Sequence, residues 1–300
     1  MHFENALKLI DMGQFALALA ALEQVLSARP SDWMAHRLYA ACLLHVGRPG
    51  DALTAITRAI SLGADDAETF QTCAIASQEL GRMNEAESAF REAIRRAPMI
   101  AHYHSNFARF LCVRGEYPRA AEVARQAVRI DPEMAHGYEI LAWAEMEMAH
   151  WESARVHCLD SLRLAPDSAW GHNNMGVWYM AHGEGQKAYS EFARALRIDP
   201  NLRMARVNAI RSLQARYPFF ATTWKAGAAL LHLPSEWRPA VIYGCCVAAW
   251  TIGLLIGAAI GGKHGPWIGL GISLGLLIWV MLLFTGQRLF VWLVERGWIQ

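Results

Sequence analysis

Twelve histidines and six cysteines are the side chains of this chain best suited to metal or nucleophilic chemistry, and their spacing assigns them none. Cys42, Cys73, Cys112, Cys158, Cys245 and Cys246 form no C-x-x-C pair, so they read as reduced, buried small residues. His102 and His136 lie 34 residues apart, and His104 and His172 lie 68 apart, too distant along a helical array to share one ion. No phosphate loop, GxGxxG, GxSxG or HExxH occurs. Neither a metal, a cofactor nor a catalytic group is expected, and the chain does not read as an enzyme. What remains is chemistry of recognition. Arg37, Gln71, His102, Asn106, Arg109, Glu139, Trp143, Trp170, Asn173 and Asn174 recur at related phases along the chain. An Asn amide can satisfy a peptide's donors and acceptors together, and Trp is a rigid apolar anchor. Asn106, Asn174 and Trp143 are therefore the leading candidates for holding a protein or peptide partner. Glu139 and Glu147 point to a mixed or basic ligand.

The elements that must position these residues follow from a period of 34. Pro98, Pro132, Pro166 and Pro200 are spaced by that interval, and stepping back gives Ala64, a departure, and then Pro30. Gly13, Gly47, Gly81, Gly115, Ala149 and Gly183 make a second ladder; Ala18, Ala52, Ala86, Ala120, Ala154 and Ala188 make a third. Glycine ends a helix by accepting a left-handed backbone, alanine lets two helices approach, and proline suits a helix's first turn but not its interior. Each unit thus reads as helix, Gly turn, helix, Pro turn, and the softest packing is expected near residues 145–155, where the glycine is replaced. A single unit cannot bury its own apolar face, so neighbours must share a core through Phe90, Ile94, Phe107, Leu111, Leu141, Met175, Tyr179 and Phe192. Asp65–Asp66 and Glu85/Glu87 read as solvated charges.

This pattern resembles the tetratricopeptide repeat family over residues 1–202, in units near 1–32, 33–66, 67–100, 101–134, 135–168 and 169–202. The large aromatic of the first helix appears as His36, Phe70, His104, Tyr138 and His172. The resemblance implies an all-α, right-handed α-solenoid of six helix pairs, whose first helices line a concave groove carrying the residues named above. Relatives that clamp chaperone C-termini do so with Lys, Asn and Arg, and the matching positions here do not repeat that set. Residues 203–216 read as an Arg-rich capping helix that presents Met204, Val207, Ile210 and Leu213 to the stack.

Composition then changes. Residues 1–218 carry 23 basic and 25 acidic side chains, whereas residues 219–300 carry five and two and are strongly apolar. Residues 239–262 contain no charge, and 264–287 contain no Asp, Glu, Lys or Arg. About 20 apolar residues span a bilayer, so transmembrane helices are expected over 239–262 and 266–287, joined as a hairpin. Gly253, Gly257, Gly261, Gly265 and Gly269 would let the two backbones touch, while Gly271 and Gly275 on another face either pack likewise or drive homo-oligomerisation. Arg203, Arg206, Arg211, Arg216, Lys225 and Arg238 precede the first stretch and only Lys263 lies between the two, which places both termini in the cytoplasm. Those bases either set topology alone or hold an anionic leaflet. Residues 217–238 read as an interfacial linker, with Trp224 and Trp237 at headgroup depth, and 288–300 as an interfacial cytoplasmic tail.

The N-terminus lacks a secretory pattern, which keeps the repeats in the cytosol, and 24 Arg against 4 Lys suits a bacterial chain, so the two apolar stretches are expected in a bacterial inner membrane. Near-neutral charge gives no pull toward nucleic acid. The function expected is a membrane-tethered interaction scaffold; the alternative is a structural subunit of an envelope machine for secretion, polysaccharide export or cell-wall assembly, touching partners through its transmembrane helices. The topology is testable with a cysteine at Lys263: an impermeant thiol reagent added to spheroplasts should label it, and one introduced at Ser31 should stay unlabelled until lysis.

Overall fold

A computed structural model describes residues 2–216 and, further on, Thr251, Ile252 and Leu255. Among the described residues there are thirteen α-helices and no strand. They are α1 (His2–Asp11), α2 (Phe15–Ala28), α3 (Trp33–His45), α4 (Pro49–Ser61), α5 (Ala67–Glu79), α6 (Met83–Arg96), α7 (Ala101–Val113), α8 (Tyr117–Ile130), α9 (Ala135–Glu147), α10 (Trp151–Leu164), α11 (Ala169–Ala181), α12 (Gly185–Ile198) and α13 (Arg203–Arg216). The chain divides into two compact units, one ending at Asn174 and one starting at Met175. In the first, α1–α2, α3–α4, α5–α6, α7–α8 and α9–α10 pair, each second helix meets the next first helix, and the first helices α3 and α5, and α7 and α9, touch. In the second, α12 packs on α13. No described helix is long and apolar enough to cross a membrane. Apart from Thr251, Ile252 and Leu255, the expected spans lie outside the described residues, as do their glycine stripes, Lys225, Arg238, the linker and the tail.

Each helix pair closes through one turn geometry. At the end of α3, Gly47 N–H donates to Leu44 C=O at 3.0 Å and Arg48 N–H to Leu43 C=O at 2.9 Å, with Gly47 at φ 73°. This nested pair of bonds satisfies carbonyls that a helix end otherwise leaves open. The same two bonds follow α9, where His150 N–H reaches Glu145 C=O at 2.8 Å, yet the residue in the turn is Ala149 at φ 60°. The alanine departure therefore keeps the geometry and carries its cost, about 1–2 kcal/mol for a Cβ in left-handed backbone. Ala64, the other departure, has a different cause. Its N–H donates to Ala59 C=O at 3.0 Å in a turn made by Gly63 at φ 98°, and proline has no N–H to give.

The alanine ladder is fully buried, all six members at 0% exposure. A second small-residue ladder runs on the first helices: Ala6, Ala40, Ala74, Ala108 and Ala142 are all at 0%, with Gly176 next in phase. A Cβ at Gly176 would stand 2.5 Å from Phe192, so the glycine exists to admit that ring. Around these contacts Phe90, Phe107, Leu111, Leu141, Met175 and Phe192 are buried, Ile94 and Tyr179 partly so. The rings of Phe90 and Phe110 meet at 5.2 Å.

Histidines at the fourth helical position tie adjacent repeats. His36, His104 and His172 bond through Nε2 to the carbonyls of Pro30, Pro98 and Pro166 at 3.0, 2.9 and 2.9 Å, so that nitrogen carries the proton. Where Phe70 takes the position, Arg96 stacks on the ring at 3.9 Å and donates to the Asp65 carbonyl at 3.1 Å. In α13 the role passes to Arg206, which donates to Pro200 C=O at 2.7 Å.

Two expectations need correction. Glu87 is not a solvated charge: its side chain is 16% exposed and pairs with Arg91, Arg114 and Arg119. The Arg119 hydrogen bond, ahead of that from Arg91, holds its carboxyl below the ordinary value. Asp66 likewise caps α5, accepting from Thr69 N–H at 3.0 Å. The face of α13 is also rotated from the one expected. Leu213 is buried, but Met204 and Val207 are 53% and 40% exposed, and Ala205, Asn208, Ala209 and Ser212 are buried in their place. Small residues let α13 lie close on α12, whereas Val207 sits on the opposite side of the helix and Met204 at the edge of the buried face.

The Ala149 turn generates a prediction. Ala149→Gly should stabilise the fifth helix pair by about 0.5–1 kcal/mol, the relief of left-handed strain less glycine's extra unfolded entropy. Slower amide exchange in α9 and α10 would register it, with exchange in α3 and α4 unchanged.

Candidate ligand-binding face

The ten candidate residues separate into three groups on the first helices. Arg37 of α3 stands apart, paired with Asp66 at 3.5 Å. Gln71 of α5 and His102 and Asn106 of α7 form a latch. Asn106 Nδ2 donates to Gln71 Oε1 at 2.9 Å, and the His102 Nε2 atom lies 3.0 Å from Asn106 Nδ2 and 3.1 Å from Gln71 Nε2. Both neighbours present N–H groups, so Nε2 accepts and the imidazole is neutral. Gln71 and Asn106 are 4% and 7% exposed: they join one repeat to the next, and their amides are already engaged.

The third group surrounds a cavity of about 250 Å³ lined by Arg109, His136, Glu139, Ile140, Trp143, Trp170 and Asn174. The phase of the repeats explains its composition: α7 supplies the Arg, α9 the next four, and the first turns of α11 the last two. Trp143 and Trp170 stack with centroids 6.3 Å apart and planes 25° from parallel. Trp170 keeps 40% of its surface exposed, so the pair offers an open aromatic wall. Asn173 and Asn174 are both 4% exposed, and Asn174 Nδ2 donates to the Glu139 carbonyl at 2.9 Å.

Glu139 is 7% exposed, and burying a carboxylate demands donors. The Ser168 hydroxyl donates to Oε1, and His136 Nδ1 sits 3.0 Å from Oε2. Ser168 Oγ also accepts from Gly171 N–H at 3.1 Å, so one hydroxyl caps α11 and anchors the carboxylate. Ser168 and Ile140 are absent from the residues that the sequence singles out; the serine's position just before a first helix, matching Asp32 and Asp66, is the available signal. Glu139 is thereby spent within the fold, while Glu147, the other acid behind the expectation of a mixed or basic ligand, stays exposed at the end of α9. Arg109 is the charge left facing the cavity. Burial lowers its pKa, opposed by Glu79, and no hydrogen bond or ion pair within contact distance holds its guanidinium among the described residues. An arginine remains cationic regardless.

No group of three or more His, Cys, Asp or Glu side chains converges to hold a metal among the described residues. Cys42, Cys112 and Cys158 are buried, which pushes their thiols to about 11, 12 and 12.

A stack of helix pairs with left-handed turns, alanine contacts and a side-chain-lined first-helix face defines a tetratricopeptide-repeat fold. A family model described as tetratricopeptide repeat matches residues 3–67 and 74–135. Among solved structures, PilW, a type IV pilus biogenesis factor, is similar with TM-score 0.60 at 17% identity, covering 69% of this chain and 96% of that one. TTC0263, a thermophilic protein of Thermus thermophilus, gives 0.54 at 20% identity, covering 60% and 98%. The Cut9–Hcn1 hetero-tetramer gives 0.58 at 18%, covering 94% and 54%. At these identities the likeness is one of fold. No curated protein matches the sequence.

The latch predicts a pH response. Burial lowers the His102 pKa, with Glu68 opposing and His136 and Arg109 reinforcing. An imidazole depressed below its unfolded value near 6.5 contributes fully above that pH and loses its contribution as pH falls from there through the folded value. Between pH 7 and pH 5, amide exchange corrected for its intrinsic rate should rise in α5 and α7, and His102→Gln should flatten that change.

Proposed function

We propose that the chain is a membrane-tethered scaffold that binds an extended peptide segment or partner domain on its first-helix face. One observation carries this reading: the cavity whose aromatic wall, Trp143 and Trp170, stands beside the guanidinium of Arg109, which no hydrogen bond or ion pair holds among the described residues. Such a site favours a segment that offers an acceptor (a carboxylate or exposed carbonyls) next to a flat apolar side chain. It disfavours a basic segment at the cavity, since the carboxylate that lines it, Glu139, has its oxygens engaged. The tether rests on the two charge-free stretches at 239–262 and 264–287. Confinement to a bilayer raises the effective concentration of a weakly bound partner, so modest affinity suffices.

Peptide arrays probed with the detergent-solubilised chain test this. Sequences pairing Asp or Glu with an aromatic residue should be retained over Lys-substituted versions. Arg109→Gln should weaken them about 10- to 100-fold, the 1.5–3 kcal/mol of a charged hydrogen bond. Trp143→Ala should weaken acidic and neutral peptides alike. Equal retention of acidic and basic arrays by the unaltered chain would sink the proposal.

A further inference from the structure

Two histidines one repeat apart meet opposite fates on the first-helix face. His102 of α7 has its Nε2 between the amides of Gln71, from the repeat before, and Asn106, one turn along its own helix. His136 holds the same position in α9. In place of Gln71 and Asn106, its own surroundings have Ser105 and Ile140 at those phases. The Ser105 hydroxyl donates to the His102 carbonyl at 3.0 Å, and Ile140 has no polar group to give. Both donors that engage the first imidazole are thus missing for the second.

The fold gives His136 a carboxylate at Nδ1 instead. Glu139 Oε2 lies 3.0 Å away, and the other oxygen, Oε1, accepts from Ser168. An ionised carboxylate only accepts, so Nδ1 carries the proton and Nε2 is bare in the neutral ring. Among the described residues Nε2 makes no hydrogen bond and is open to water; the buried polar atoms left unbonded belong to Arg37, Ser77, Gln78 and His157. It is the free edge of a side chain that lines the cavity with Arg109, Trp143 and Trp170.

Few charges surround this ring. Glu139 on its own helix and Arg109 on α7 line the cavity with it, and His102 on α7 is near enough that charge on His136 disfavours charge there. The α11 side faces the cavity with Trp170 and Asn174, neither of which titrates. With the imidazole neutral, Arg109 and Glu139 balance. With it protonated, the cavity gains one positive charge and Nε2 turns from acceptor to donor. Glu139 is placed to hold that imidazolium beside the arginine.

We propose that His136 selects the ligand together with Arg109: its Nε2 accepts from a neutral polar group when the ring is uncharged and donates to a carboxylate when the ring is protonated. This assignment rests on the cavity being the ligand site, and adds to it a carboxylate preference that strengthens on acidification. The protonated ring binds a carboxylate best, so linkage requires a proton to be taken up with the ligand, and affinity to rise as pH falls through the imidazole range near about 6.5.

The full chain in lipid nanodiscs tests this with two probes, N-acetyl-tryptophan and its amide, which share the indole and differ in the carboxylate. The acid stays ionised down to about pH 5.5, since an α-carboxyl titrates near about 3.5. From about pH 8 to about pH 5.5 the affinity ratio of acid to amide, read from the indole resonances of Trp143 and Trp170, should rise about tenfold, the gain of one charge-assisted hydrogen bond. The ratio cancels any loosening of the His102 latch, which touches both probes alike. His136→Gln keeps an N–H for Glu139 but cannot titrate, so its ratio should stay flat. Arg109→Gln should lower the ratio at both pH values and leave the rise. In the unaltered chain, calorimetry in buffers of different ionisation enthalpy should show proton uptake near neutral pH with the acid and none with the amide. A flat ratio or no uptake in the unaltered chain, or the same rise in His136→Gln, would overturn the role of His136 while leaving the cavity as the ligand site. Failure of both probes to move either indole would overturn the cavity and this inference together.

Discussion

The close approach of two helices within each 34-residue unit is the constraint on which everything else rests. Alanines on both partners remove the volume that would hold the backbones apart, and a left-handed turn returns the chain at the distance they set. Once the spacing is fixed, the large side chains fill the gaps beside these contacts and the junctions between units. Phe90, Phe107 and Phe110 fill one such junction. Gly176 shows the limit of the rule, where even a methyl group would collide with the partner ring.

Close packing also decides which polar side chains are free. Buried amides and carboxylates must be hydrogen-bonded, and along the first helices that demand is met mostly by neighbouring repeats. Gln71, Asn106, Asn174 and Glu139 consequently serve as joints between repeats. The same histidine-to-proline-carbonyl bond recurs at alternate junctions, and an arginine takes over at Phe70, through Arg96, and in α13, through Arg206. Recognition is then left to residues that the stack does not consume. Arg109 and the two tryptophans are such residues, which is why the cavity beside them carries the functional reading.

The periodicity of the chain made the helices, their turns and their alanine contacts legible without coordinates, because each depends on local backbone chemistry repeated at one interval. Ala149 and Ala64 were visible as departures. Only the structure distinguished them: the first adopts the glycine's conformation, and the second donates a bond that proline could not make. The candidate face was legible as a list of residues. Its division into a salt bridge, a latch and a cavity was not, since that depends on which side chain from the next helix arrives within hydrogen-bond distance.

From sequence alone came the repeat, the helix pairing and the change to an apolar C-terminal region, all governed by residue type and spacing. Tertiary structure decided which charges are spent and which face of α13 is covered. Glu139 looked like an attractant for a basic ligand until Ser168 and His136 were found beside it. Met204 and Val207 looked like core until small residues centred on another face of the helix proved to lie against α12. Both outcomes turn on neighbours distant along the chain and on the rotation of a helix about its axis, which a pattern of residue types leaves undetermined.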